Sequence, residues 1–259
     1  MRRTATTALD GKVALISGAA RGLGEATAWA ICENGGKVAL GDILAERGEE
    51  TAARLREAGH DAIFVPLDVR DEAQWQAAID ATTARFGGLD ILVNNAGIAT
   101  AATIEDLTVA DFQAIIDINL LGAFRGMQAA IPALRNRGGG AIVNISSNST
   151  QRVSAITTSY AATKAAVANM TKSAAIHLAQ SGSGIRVNSI HPGPHETEML
   201  LGSDAKADLP QVQALRAAIP MGRMGHAAEV GAAVAFLASD AASYITGAEL
   251  FVDGGLTPH

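Results

Sequence analysis

In the stretch SYAATK (Ser159–Lys164), one of the chain's two tyrosines stands four residues before one of its five lysines. Four residues is about one helical turn, so on a helix the phenol and the ammonium share a face. A free tyrosine, with a pKa of about 10, is a poor base at neutral pH. A lysine charge ~4 Å away at an effective dielectric of ~20 contributes about 4 kcal/mol, or roughly three pKa units before screening and the lysine's own desolvation. That brings Tyr160 toward the range where a group takes and gives a proton efficiently. Ser147 ends an apolar run upstream, where its hydroxyl can hydrogen-bond a carbonyl or alcohol oxygen beside the phenol.

A second set of residues suits a nucleotide. SGAARGLG (Ser17–Gly24) has glycines at 18, 22 and 24, after an apolar run and before a helical pattern. Such a turn lets backbone approach a pyrophosphate, whose charge then sits at a helix N-terminus. The spacing is G-x-x-x-G-x-G rather than G-x-G-x-x-G. Asp42 ends the next apolar run, where an acid accepts both ribose hydroxyls of an adenosine and repels a 2′-phosphate. NAD is therefore expected over NADP, although the guanidinium of Arg21 pulls toward phosphate. Asp68, with Val69 in LDV, is expected to contact adenine. Asn95, Ala96 and Gly97 in NNAG would let the cofactor lie against the backbone.

These motifs need a scaffold that brings them to one edge. Apolar runs read as buried strands at Lys12–Ser17, Lys37–Asp42, Ala62–Val69, Leu89–Gly97, Gly140–Ser147, Gly184–Gly193 and Ala248–Gly255. Pro66 pushes the third toward an edge position. Helical patterns follow the glycine turn to about Asn34, then cover about Glu46–Ala58, a stretch through Trp75 and Phe86, Val109–Arg135 and Tyr160–Ala179. Strands apolar on both faces, alternating with helices, imply an α/β parallel sheet covered on both sides. Ligands bind such sheets at the carboxyl ends of the strands, which is where the motifs fall. Residues 1–10 read as a flexible tail and residues 11–259 as one doubly wound domain. The irregular stretch at about 192–211 reads as a substrate loop, since a loop that long in a compact domain is usually functional.

Bulk composition narrows the partners. Apolar residues make up 48% and charged residues 18%, as in a compact protein with a sizeable core. A net charge of −6, without a long Lys/Arg run, argues against a nucleic-acid or anionic-membrane surface. No apolar run reads as membrane-spanning, and no apolar stretch follows the two N-terminal arginines as in a secretory signal. The single cysteine, Cys32, rules out an internal disulfide and fits a reducing cytoplasm. His191, His195 and Glu196 fit no usual metal-ligand spacing, so no metal is expected; His195 reads as an exposed loop histidine or a substrate-facing group.

The set SGAARGLG, Asp42, LDV, NNAG, Asn119 in DINLLG, Ser147 in IVNISS, YAATK, RVNSIHPG and DGG, in this order, closely resembles the short-chain dehydrogenase/reductase family from Gly11 to Gly255. The resemblance implies a seven-stranded sheet of order 3-2-1-4-5-6-7. It implies that Tyr160 is the acid/base, that Ser147 polarises the substrate oxygen, and that Lys164 binds the nicotinamide ribose and lowers the tyrosine's pKa. Asn119 would hold a water that passes protons from Lys164 to solvent. Cofactor contacts are expected from Ser17, Gly18, Arg21, Gly22, Leu23, Gly24, Asp42, Ile43, Asp68, Val69, Asn95, Ala96, Gly97, Tyr160, Lys164, Pro192, Gly193, His195 and Thr197. Two departures stand out: Ser17 replaces the family's usual threonine, and His195 stands where an aliphatic residue is common. The pocket walls would be Ile98–Thr103, Asn148–Ile156 and Glu198–Gly202, with Val153, Met199 and Leu200 against the substrate and Gln151 or Arg152 as polar contacts. An apolar or alicyclic secondary alcohol or ketone is implied, as in bacterial NAD-linked hydroxysteroid and secondary-alcohol dehydrogenases, in a homotetramer. Two other functions fit the same residues: an NADP-linked reductase of activated acyl or quinone substrates, and a catalytically silent dinucleotide sensor.

Overall fold

The structure, a computed structural model, describes residues 8–201 and 210–257. Its strands are β1 (Val13–Ser17), β2 (Lys37–Asp42), β3 (Ala62–Pro66), β4 (Ile91–Asn94), β5 (Gly140–Ile145), β6 (Ile185–Pro192) and β7 (Glu249–Val252). They form one sheet in the order 3-2-1-4-5-6-7, the order the resemblance implies, and every pairing is parallel. Pro66 costs the sheet little, because β3 is an edge strand and pairs only with β2.

The helices are α1 (Gly22–Glu33), α2 (Ala45–Glu57), α3 (Glu72–Phe86), α4 (Val109–Ile115), α5 (Gly122–Asn136), α6 (Thr158–Gln180), α7 (Glu198–Leu201), α8 (Pro210–Ala218) and α9 (Ala227–Ala238). Period-two alternation along each strand sends its side chains into two cores. Ala14, Ile16, Val38 and Leu40 pack with Ala28 and Ile31 of α1, Leu55 of α2 and Val234 of α9. Leu15, Ala39, Leu92 and Ile142 pack with Trp75 of α3, Met127 and Leu134 of α5 and Leu178 of α6. Helices thus cover both faces, as continuous apolar strands require.

Four features differ from the sequence reading. Leu9, in the segment read as a tail, is fully buried in the first core, and its N–H donates to the Asn34 carbonyl at 2.9 Å, so packing begins before Gly11; residues 1–7 lie outside the described residues. The long helical region from Val109 is broken in register by a π-helical segment, Ile116–Leu121, between α4 and α5. That run is long and apolar enough to cross a membrane by length and composition, with a mean hydropathy of 1.2 over an 18-residue stretch of it, yet Met127, Ala130 and Leu134 on its inner face belong to the second core. Helix α9 was not assigned from sequence. It lies close against α1, where a Cβ on Gly231 would stand 2.6 Å from the Ala26 carbonyl. Finally, the stretch read as an irregular loop contains α7 and the start of α8, with residues 202–209 outside the described residues.

Candidate active site

The glycine turn joins β1 to α1. Gly18 has φ +67°, and a Cβ there would lie 2.7 Å from Ala96 Cα, so only glycine lets the turn press against the end of β4. Asn95 fastens this contact by donating Nδ2 to the carbonyls of Ser17 (3.0 Å) and Gly18 (2.8 Å). Ser17 Oγ accepts from the N–H groups of Asn95 (3.1 Å) and Ala96 (3.2 Å) and donates to Val93 O (3.4 Å). Ser17 is 1% exposed, and its hydroxyl holds β1 to the end of β4.

The side chain of Arg21 makes no capping hydrogen bond at the start of α1, a position where the first-turn N–H groups need partners. From Gly22 (φ +62°) the Cβ direction meets only Thr197 Cγ2, at 4.0 Å. A helix N-terminus without a side-chain cap from Arg21, and with room for approach beside Gly22, fits a pyrophosphate. At the end of β2, Asp42 Oδ2 accepts from Ala20 N (2.9 Å) and Oδ1 from Leu44 N (3.0 Å). Each oxygen keeps lone-pair capacity for a ribose hydroxyl. Ile43 beside it is exposed. The residues present therefore suit a dinucleotide.

Asp68 and Val69 lie just beyond β3. Arg70 grips both oxygens of Asp68, and this hydrogen bonding holds the carboxyl below its usual range. Val69 is buried in the second core, against the point where a Gly122 Cβ would stand.

At the next strand ends the structure brings the reactive candidates together. Tyr160 is half-buried in the first turn of α6, and Lys164 Nζ lies 5.7 Å from its ring centroid. Lys164 is 4% exposed, donates to Ile145 O at 2.8 Å, and is pushed down to about 8 by burial. Burial raises the Tyr160 phenol above its ordinary value, and a side-chain hydrogen bond with Ser147 opposes that rise. The depression expected from sequence draws on the charges of Lys164 and an oxidised nicotinamide together; in the protein alone, desolvation of the phenolate dominates, and burial disfavours the lysine's own charge.

β5 ends at Ile145 rather than Ser147, and Ser147 caps a short 3₁₀ turn by accepting from Ser149 N at 3.1 Å. Asn119 lies in the π segment and brackets Ile98, accepting from its N–H (2.8 Å) and donating to its carbonyl (2.9 Å). A Cβ on Gly97 would stand 3.2 Å from Asn119 Oδ1 and 3.4 Å from Lys164 Nζ, which places all three side by side.

Sequence reasoning missed His191 as anything but a possible metal ligand. It is fully buried at the end of β6, stacked on Phe251, with Nδ1 3.0 Å from the Ser147 carbonyl and Nε2 2.9 Å from Ser189 Oγ. A carbonyl only accepts, so Nδ1 carries the proton in that bond, and burial keeps the ring neutral to lower pH than usual. His191 thereby fixes the turn that carries Ser147. Among the described residues no group of three or more His, Cys, Asp or Glu side chains could hold a metal ion.

His195 is a correction: it is 4% exposed, not an exposed loop histidine. Its Nδ1 lies 2.8 Å from Gly193 O, and it lines a cavity of about 290 Å³ with Arg223, Phe251 and Asp253, beside β7 and apart from the Tyr160 cluster. Pro192 ends β6, and Gly193 is pinned to β7 by its N–H bond to Val252 O (2.9 Å). Of the expected pocket residues, Val153 and Leu200 are exposed, as are Ile98 and Ile156, whereas the Met199 side chain lies outside the described set. Ala102 N donates to Ile156 O at 3.0 Å and stitches two of the walls together. Arg152 turns to Leu256 O (3.1 Å).

Residues 18–257 match a family model described as Enoyl-(Acyl carrier protein) reductase. A 3-alpha-(or 20-beta)-hydroxysteroid dehydrogenase of Mycobacterium tuberculosis is 47% identical over 247 residues, covering 95% of this chain and 90% of that one. The chain belongs to the short-chain dehydrogenase/reductase family. Other members are similar along nearly the whole length. A cis-4-hydroxycyclohexanecarboxylate dehydrogenase of Sinomonas cyclohexanicum is 45% identical, over 95% of this chain and 96% of that one. The crystal structure of a short-chain type dehydrogenase/reductase from Mycobacterium marinum superimposes with a TM-score of 0.89 at 36% identity, over 98% of each chain. As a short-chain dehydrogenase/reductase the protein is an oxidoreductase of a family that uses nicotinamide dinucleotides.

Proposed function

We propose that the protein interconverts an apolar or alicyclic secondary alcohol and its ketone with NAD(H). The observation that carries this reading is the clustering of Tyr160, Ser147 and Lys164 on the sheet edge that also carries Asp42 and the uncapped start of α1. In the oxidative direction Ser147 Oγ holds the alcohol oxygen and Tyr160 takes its proton, while the carbinol hydrogen leaves as hydride. The dinucleotide, when bound, supplies the hydride acceptor and, oxidised, a positive charge near the phenol. Lys164 holds the ribose and its charge favours the phenolate; the π segment sets Asn119 beside Lys164 to carry protons outward.

Asp42 supports NAD over NADP, because backbone N–H groups hold both its oxygens and leave lone pairs for ribose hydroxyls. The exposed aliphatics Ile98, Val153, Ile156 and Leu200 suit an apolar substrate, in keeping with relatives named for hydroxysteroid and hydroxycyclohexanecarboxylate. Exposed Val109, Phe124 and Ile176 on α4, α5 and α6 support assembly into a homotetramer, and the lone buried Cys32 suits a reducing cytoplasm. The test is NADH formation, followed by absorbance, over a panel of cycloalkanols, hydroxycyclohexanecarboxylates and hydroxysteroids, with enoyl thioesters and quinones offered alongside NADPH. Turnover of the alcohols is expected. Turnover confined to the thioesters or quinones points to an acyl or quinone reductase, and coenzyme binding without any turnover to a dinucleotide sensor.

A further inference from the structure

Glu198 opens α7, yet its carboxylate is gripped from two other elements. Arg21, in the glycine turn, bonds one oxygen through Nη1. Arg47, in the first turn of α2, bonds the same oxygen through Nη1 at 3.2 Å and the other through Nη2. The two arginines bracket Asp42. Arg21 follows Ala20, whose N–H bonds Asp42 Oδ2, and Arg47 lies one turn beyond Leu44, whose N–H bonds Oδ1. Side-chain exposures of 37–50% place this triad at the surface rather than in the core, on the elements whose backbone holds Asp42.

Two guanidiniums converging on one oxyanion is the geometry that also recognises a phosphate monoester. We infer that Glu198 is a coenzyme-specificity residue, which takes up the two arginines that would otherwise receive the 2′-phosphate of NADP. With Glu198 in place, its carboxylate occupies both guanidinium groups. Without it both forks are free, although Glu25 and Glu50 still face Arg47. The inference rests on Asp42 marking the ribose site. It also resolves the opposing pull of Arg21 noted in the sequence: Arg21 is present but committed to Glu198. The hydrogen bonds from Arg47 and Arg21 keep the Glu198 carboxyl below its usual range, so it is ionised at neutral pH.

Binding of NADH and NADPH, followed by coenzyme fluorescence without substrate, tests this on wild type, Glu198→Gln and the double variant Glu198→Gln/Arg47→Ala. Glu198→Gln is expected to bind NADPH about tenfold more tightly while NADH changes by less than about twofold. Adding Arg47→Ala is expected to remove the gain. Unchanged NADPH affinity in Glu198→Gln, or equal shifts for both coenzymes as from a strap indifferent to the phosphate, overturns the inference. Equal affinities in the wild type would instead count against the Asp42 reading, since the role of Glu198 is judged by the change on substitution, whatever the starting ratio.

Discussion

Lys164 donates its ammonium to the Ile145 carbonyl at 2.8 Å, which ties the first turns of α6 to the end of β5. Burial lowers this lysine from its ordinary 10.5 to about 8, so its charged form costs the folded state. Between those values the unfolded chain binds more protons than the folded one, and stability rises with pH; below pH 8 both forms are protonated and the slope vanishes. Denaturant unfolding of wild type and Lys164→Met checks this. The stability of wild type relative to the variant is expected to rise by about 3 kcal/mol from pH 8 to 10.5. Tyr160 and Cys32, both raised by burial, give the opposite slope at high pH; Cys32 cancels in the difference, and placing both proteins in a Tyr160→Phe background removes the phenol that Lys164 faces. A constant difference would contradict the burial of the charge.

Gly18→Ala should damage coenzyme binding and stability together. Its Cβ would stand 2.7 Å from Ala96 Cα at φ +67°, so either the turn or the end of β4 must move. The expected cost is about 1–3 kcal/mol in unfolding free energy, with NADH affinity weakened more than about tenfold. Gly11→Ala is the control: it has a similar φ of +69° but nothing within 4 Å of the added carbon. It should lose some stability through strain and keep its affinity for NADH. Thermal melts and NADH titration read both effects.

Much of this arrangement is legible from the chain because apolar runs and helix-spaced pairs are local. The β1, β2 and β4 runs, the edge placement of Pro66, and the shared turn of Tyr160 and Lys164 each depend on neighbours within a few residues. What escapes is non-local. Helix α9 is apolar almost all round, since it packs against both α1 and the sheet, and it therefore shows no amphipathic stripe. The π segment around Asn119 has no compositional mark. The tasks of Ser17 and His191 are set by partners 76 to 79 and 44 residues away in the chain. The tyrosine's direction of shift depends on burial, which spacing alone does not report.

The central claim is that the Tyr160 phenol moves the substrate's proton at a site whose dinucleotide grip is built elsewhere. Tyr160→Phe keeps the ring and removes only the hydroxyl. Its rate of NADH formation, measured in a single turnover with an alcohol that the wild type oxidises, tests this most directly when paired with the NADH dissociation constant. The rate is expected to fall by about 10²-fold or more, with binding held within a few-fold. A variant that still turns over at the wild-type rate would contradict the account.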